Sequence, residues 1–422
     1  MKKTFIYFFL FFFTFFCISL LALPIIFDLI ITILILLIFR NNYVSIIILN
    51  SLILIMILSI SFIFEKNDNY GYFYRAHEKH TTKNKSYKKN ISDTIFMPYG
   101  DIYVIDSGLN SNRELIKETR EQIFITDSYG IRNNQTKIDE AEIILVGDSF
   151  ITGNGVTQKN IPSNILSEIS GKKVSILSYG GLGPRDYENI IKKYMKIINS
   201  DAKIFVFYFE GNDFFKEEKK KKVEENSKYV NWRGYKIPWL SYKIRFAYER
   251  LERNKDKFLL KVLSEKNYFL KNIRAKSHIM YRKFFSKLHN TGSPIKYFKI
   301  DNKIMGFYHI DNFDLNSKYN TYIFENEKIL NRVNGVFYIP SKLNVYSDYI
   351  KQRTNDKNNK FLYLKNSYSK LNIPTYDLSI NMKKSVSKYL EDGKYLYWRD
   401  DTHWNKYGIY EGMKYLNSII NK

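Results

Sequence analysis

Hydrophobic and polar positions divide this chain into three regimes. From Phe5 to Phe39 the residues are almost continuously apolar, broken mainly by Pro24 and Asp28. That run is too long for one spanning helix of roughly 20 residues and suits a helical hairpin. Arg40, Asn41 and Asn42 interrupt it, and Tyr43 to Phe64 forms another apolar stretch. The pattern predicts a membrane anchor of about three transmembrane helices in 1–64, near 5–23, 25–39 and 43–64. A cleaved leader is the competing reading, but an h-region spans only about 7–15 residues and no small-residue cleavage site follows. Lys2 and Lys3 precede the first span and Arg40 lies between the second and third. With three spans both groups are cytoplasmic, as the positive-inside rule prefers, so everything after Phe64 is expected outside the cytoplasm. With two spans it would be inside.

The second regime, 65–95, is polar, lysine-rich and weakly patterned. That stretch fits a linker with little core of its own, and 65–119 as a whole reads as linker and accessory segment. The third regime has rhythm. Ile123–Thr126 reads as a strand turned by Asp127–Gly130. Ile143–Val146, Val174–Leu177 and Ile204–Phe209 are short apolar runs bounded by turn residues, hence strands, with helices at Pro162–Ser170 and Arg185–Ile198 between them. The rhythm lapses over 214–330, read as an insertion with helical periodicity from Phe258 to Leu288. It returns with a strand at Gly335–Ile339, a helix through Tyr349 to Leu371, a strand near Thr375–Asp377 and a helix at Lys406–Ile420. Alternation of this kind predicts an α/β fold, a parallel sheet flanked by helices, over 120–422.

Composition changes this picture little. The net charge of +24 raises the question of nucleic acid. Lysine is instead spread along the chain among Asn, Ile, Tyr and Phe, with no arginine-rich stripe, zinc-finger spacing or RNA-binding aromatic motif, so no nucleic-acid partner is expected. Lys219–Lys222 lies between acidic pairs and reads as a solvated face. A basic exterior favours an anionic membrane surface or an acidic glycan. Cys17 is the one cysteine and sits in the first apolar run, which excludes an internal disulfide and a thiolate metal site. His77-Glu78-Lys79-His80 is one residue short of the zinc-protease spacing and reads as solvated linker. No metal or cofactor is expected.

Each of the first three strands of the alternating region ends in a suggestive segment: Gly147-Asp148-Ser149, then Ser178-Tyr179-Gly180-Gly181-Leu182-Gly183, then Glu210-Gly211-Asn212-Asp213. The carboxyl ends of neighbouring parallel strands share one crevice, so three loops distant in sequence are expected to meet. Ser149 follows a glycine that permits a sharp turn and is a candidate nucleophile. Asn212 offers a side-chain amide, and the backbone N–H groups of the glycine turn and of Ser149 offer further donors for an oxyanion. Of six histidines, His403, in Arg399-Asp400-Asp401-Thr402-His403-Trp404, alone has acidic residues two and three positions before it, able to orient an imidazole base. The others, at 77, 80, 278, 289 and 309, lack such company.

These four blocks, in this order, resemble the SGNH (GDSL-type) hydrolase superfamily, across 120–213 and 335–422. The resemblance implies a three-layer, flavodoxin-like domain, with Ser149 as nucleophile, Gly183 and Asn212 as oxyanion donors and His403 as base. Ser178 stands where the family commonly has asparagine, which leaves open which glycine faces the oxyanion. The acidic partner is Asp400 if the histidine is read as DxxH and Asp401 if it is read as DTHW, and the His403-Trp404 pair favours Asp401. The other aspartate is then expected to cap the turn or meet solvent. Thr126–Arg132 and Ile339–Lys342 look like accessory segments of a branch that includes alginate-type O-acetyltransferases. The resemblance thus implies a membrane-anchored serine esterase or O-acyltransferase acting on extracytoplasmic polysaccharide esters. Its expected partners are the membrane, an acylated glycan or other ester substrate and, for transfer, a membrane acyl-donor protein. A non-catalytic polysaccharide-binding or assembly component and a lipid esterase are the alternatives.

Overall fold

Alternating burial in Ser92–Met97 (β1) and Arg120–Ile125 (β2) joins these two strands as an antiparallel pair, Ser92 opposite Ile125 and Met97 opposite Arg120. The computed structural model describes residues 6, 10–15, 25–39, 42–53, 80–81, 86–97, 99–103, 116–216, 229–232, 235–238, 295–308, 319–350 and 359–421. The chain divides into two compact units. One comprises Met1–Tyr72, Asp106–Arg113 and Lys220–Ser293, the other Phe73–Ile105, Glu114–Lys219 and Pro294–Lys422.

The second unit holds the sheet. Ile143–Gly147 (β3), Val174–Ser178 (β4) and Lys203–Phe209 (β5) are buried along nearly their whole length, as strands covered on both faces must be. Ile295–Ile300 (β6) and Lys303–Tyr308 (β7) form a separate antiparallel hairpin. Val333–Ile339 (β8) and Thr375–Asp377 (β9) complete a five-stranded parallel sheet of order β4-β3-β5-β8-β9. Numbered along the sheet's own strands this is 2-1-3-4-5, so the winding reverses between β3 and β5. A crevice outside the strand ends opens at such a reversal.

Helices cover both faces, and the aromatic residues of β5 and β8 show how. Phe207 and Phe337 stack at 4.9 Å on one face, where Phe337 also meets Tyr376 at 4.9 Å and Tyr415 at 6.5 Å. One residue further along, Tyr208 and Tyr338 point the opposite way. Tyr208 meets Tyr187 and Tyr368, and Tyr338 meets Phe214 and Phe361. After the four-residue α1 (Ser149–Thr152), the helices α2 (Pro162–Ser170), α5 (Leu378–Glu391) and α6 (Lys406–Ile420) therefore lie on the first face, with α2 and α5 packed on α6. The helices α3 (Pro184–Tyr194) and α4 (Asn359–Ser369) lie on the second. The edge strand β4 is closed by Asn133, whose amide both donates to and accepts from the backbone of Ile176, at 3.0 and 2.9 Å.

Several expectations need correction. The segment 65–119 is not a linker throughout: β1 lies in it, and Tyr87, Ile95 and Met97 are buried in the main core. His80 is buried and bonded to Asp93 at 2.8 Å rather than solvated, while His77 lies outside the described residues. Within the expected helix 349–371, Asn359–Ser369 is α-helical and Tyr349 ends a short 3-10 turn, while 351–358 lies outside the described residues. Helix α5 went unforeseen. The helical periodicity at 258–288, the run Lys219–Lys222 and the histidines at 278, 289 and 309 also lie outside the described residues.

In the first unit, Ile25–Ile38 is a helix of 14 residues, residues 43–53 are helical, and Asn50 donates to Thr14 at 2.8 Å. A short hairpin joins Tyr229–Trp232 to Tyr235–Pro238. Among the described residues no helix is long and apolar enough to cross a membrane. The expected spans near 5–23 and 43–64 fall partly outside those residues.

Candidate active site

The site begins with a turn crowded enough to favour glycine. Strand β3 ends at Gly147, and helix α1 starts two residues later, so close that a Cβ on Gly147 would sit 2.6 Å from Ile151 Cγ1. Asp148 caps α1, accepting from the Phe150 N–H at 2.9 Å, and this leaves Ser149 as the first residue of the helix. The Asn212 amide, after β5, donates to the other Asp148 oxygen at 2.9 Å. The segments after β3 and β5 thus meet beside the serine, at the reversal of the sheet. Behind them, Asp213 accepts from Tyr187 Oη and the Phe209 N–H, both at 2.8 Å. Burial and the nearby Asp148 hold the Asp213 carboxyl well above its ordinary range.

The histidine arrives from the far end of the chain. Tyr397 and Trp404 pair as an isolated antiparallel bridge, closing a loop that carries residues 398–403. Trp404 is wholly buried. Its indole N–H donates to the Phe150 carbonyl at 3.1 Å, and its ring lies 5.4 Å from that of Phe150. Phe150 also stacks on Phe209 at 3.9 Å and lies 5.0 Å from the His403 ring. The residue after the serine and the residue after the histidine therefore hold the two loops in register.

His403 Nε2 lies 2.8 Å from Ser149 Oγ, and His403 Nδ1 lies 2.7 Å from Asp401 Oδ1. Burial pushes the Asp401 carboxyl up, but His403 and Arg120 outweigh it and hold Asp401 well below the carboxylate range. An ionised Asp401 only accepts, so Nδ1 carries the proton. Nε2 of the neutral ring then accepts from the Ser149 hydroxyl. Burial alone would push His403 down. Asp401, with Asp101 and Asp148 behind it, instead raises it above 6.5.

The two aspartates separate cleanly. Asp401 serves the histidine, and its second oxygen accepts from Arg120 Nη2 at 2.7 Å. Asp400 does not bond the ring. It accepts from Arg120 Nη1 at 2.9 Å and from the N–H groups of Gly100 and Glu118 at 2.7 and 2.8 Å. It is buried, which corrects the expectation that the unused aspartate caps the turn or meets solvent. The Arg120 guanidinium carbon lies over the Trp398 ring, 4.3 Å from its centroid. Beneath the loop, the buried Lys342 ammonium donates to the carbonyls of Gly306 and Trp398, each at 2.7 Å.

Gly183, the other expected oxyanion donor, caps helix α3, and its N–H is given to Asp186 at 3.2 Å. Nothing lies within 4 Å of where its Cβ would be, so this turn borders open space. Gly180 donates instead to Tyr87 Oη at 3.0 Å. Reasoning from sequence missed Tyr87, Gly100, Asp101, Glu118 and Arg120, all from the segment read as linker or its border. Asp101, Asp401 and His403 bring potential ligand atoms within 4.8 Å of one another. Each is already engaged: Asp101 accepts from the Thr402 N–H at 2.7 Å, and Asp401 accepts from Arg120 and lies 2.7 Å from the His403 ring. The chain matches no protein-family model, no curated protein and no solved structure.

Proposed function

We propose that this protein is a serine esterase or O-acyltransferase of SGNH type, with a three-layer, flavodoxin-like catalytic domain. The observation that carries the reading is the continuous relay from Ser149 Oγ through His403 to Asp401, at 2.8 and 2.7 Å, with the histidine and aspartate buried and the serine half-buried beside the reversal of the sheet. Nucleophile, base and orienting acid in this order are what acyl transfer requires.

In the mechanism, His403 Nε2 takes the Ser149 proton as Oγ attacks an ester carbonyl. The developing oxyanion is met by the Ser149 N–H and by the Asn212 amide hydrogen not given to Asp148. Gly183 joins them once its N–H turns from Asp186. Collapse of the tetrahedral adduct breaks the ester bond, and the leaving alkoxide takes the proton from His403, leaving acyl-serine. Water or a sugar hydroxyl, deprotonated by the same histidine, then attacks and releases Ser149. The first outcome is hydrolysis and the second is transfer. The substrate proposed is an O-acetyl ester of extracytoplasmic polysaccharide, with the apolar N-terminal segment as a membrane anchor holding the catalytic domain outside the cytoplasm.

Incubation with an activated acetyl ester followed by mass spectrometry tests the core of this. An acetyl adduct on Ser149 is expected, absent from Ser149→Ala. If the two behave alike, the catalytic reading is wrong. Turnover on acetylated glycan and on phospholipid, measured side by side, separates the proposed substrate from a lipid ester.

A further inference from the structure

We propose that Asp101 is a second carboxylate of the base, a positioning residue whose charge acts on His403 together with Asp401. The proposal rests on the Ser149–His403 reading. Asp101 Oδ2 lies 3.9 Å from His403 Nδ1, with its side chain only 6% exposed. That separation is too long for a hydrogen bond and short enough for a strong Coulombic effect. The ring keeps its bond to Asp401 while a second negative charge stands beside the same nitrogen.

The position of that charge is fixed from several directions. The Asp101 carboxylate accepts from the Thr402 N–H at 2.7 Å and from the Thr402 hydroxyl. Its own N–H donates to Asp401 Oδ2 at 3.3 Å, and the next residue, Ile102, donates to the Asp400 carbonyl at 3.0 Å. Gly100, just before it, gives its N–H to Asp400 and comes so close that a Cβ would lie 2.4 Å from the Asp400 carbonyl oxygen. Residues 100–102 therefore clasp 400–402 through side chains and backbone together.

Around the ring, the ionisable groups are Asp401 and Asp101 on the Nδ1 side and Asp148 and Ser149 on the Nε2 side. Arg120 faces the far oxygen of Asp401, and Asp400 and Lys342 stand further back. Asp101 and Asp401 act on the ring in the same sense, stabilising the imidazolium that forms when Ser149 gives up its proton. Arg120 opposes them while fixing the rotamer of Asp401.

The test uses the full chain with isotopically labelled histidine. The His403 ring signal, identified by its loss in His403→Asn, is titrated by NMR, and the pH dependence of Ser149-dependent turnover of p-nitrophenyl acetate is measured in parallel. Asp101→Asn removes the charge and keeps the shape; it is expected to lower the His403 midpoint by about one pH unit. Thr402→Val removes the hydroxyl anchor, keeps the carboxylate, and is expected to leave the midpoint in place. Asp101→Ser serves as a second neutral variant if the asparagine variant does not fold. An unchanged midpoint in a folded neutral variant, or an equal shift in Thr402→Val, overturns the proposal. A wild type without Ser149-dependent turnover overturns the esterase reading instead, and the ring titration still decides the role of Asp101.

Discussion

Asp401 offers one oxygen to a histidine and the other to an arginine, while its neighbour Asp400 offers both of its oxygens to groups that never touch the ring. The two aspartates should therefore respond differently to the same change. Asp401→Asn is expected to lower turnover by about 10³–10⁴-fold, because an amide in that place favours the wrong tautomer. Asp400→Asn leaves the relay intact but unbalances a buried ion pair, and a loss of about 3 kcal/mol in stability is expected, with a smaller effect on turnover. Acylation rates and thermal unfolding of both variants check this. In the proposed mechanism His403 sets the pH response. Only neutral His403 can accept from Ser149, and Asp401 and Asp101 raise its affinity for the proton, so activity is expected to fall on acidification with a midpoint above 6.5. Stability runs the other way. A histidine raised in the folded state contributes fully below its unfolded value and loses that contribution as pH rises through its folded value. His403→Asn should remove this slope of stability with pH above 6.5, measured by denaturant unfolding across the window. At this scale Ser149, Asn212 and His403 were legible because each sits in a short local block. Asp101 and Arg120 were not, because their meaning arises from partners about 300 positions away in the chain.

The elements that best matched expectation are those with strong local signals. Pro162–Ser170 starts with proline at its first position and ends at a left-handed glycine, and Lys406–Ile420 starts at an asparagine that accepts from two backbone N–H groups. Helix α5 was missed although its signal was present: Asp377 caps it, and Leu378, Met382, Val386 and Leu390 form a buried stripe at four-residue spacing. Its many Ser and Lys residues hid that stripe. Strand β1 was harder to see, since its alternation lies within a polar stretch. The turn after Ser149 depends on Arg132, which is fully buried and binds the carbonyls of Ile123, Thr152, Gly153 and Val156 as well as the Gln158 side chain. Burial pushes its guanidinium down to about 9, so it stays charged at neutral pH. Arg132→Met strands several buried carbonyls at once and is expected to cost about 3 kcal/mol. Arg132→Lys should recover little of that, because three donors on a point charge cannot span this fork. Unfolding midpoints of the two variants, alongside wild type, decide the matter.

For the whole molecule, alternation of strands and helices was enough to foresee a parallel sheet, because each strand is a short apolar run between recognisable turns. The extent of the domain was not foreseen. The matched blocks placed its start at residue 120, yet the chain before that point contributes to both the core and the site. Strand β1 covers the edge of β2, and Tyr87, Ile95 and Met97 are buried against the central core. Tyr87 receives the Gly180 N–H, while Gly100 and Glu118 supply two of the donors that hold Asp400. Burying each of those three side chains contributes about 1.5–3 kcal/mol, so losing all of them removes a large share of a typical folding margin of about 5–15 kcal/mol. Losing the Asp400 donors as well leaves a buried carboxylate with Arg120 as its remaining partner among those bonds. A chain beginning at residue 66 is therefore expected to unfold cooperatively and to form the Ser149 adduct. One beginning at residue 120 is expected to lose both properties. Calorimetry and acetyl-ester labelling of the two fragments provide the comparison. Matching unfolding midpoints would mean that 73–119 is an appendage after all, whereas loss of labelling with a retained transition would confine its role to the site.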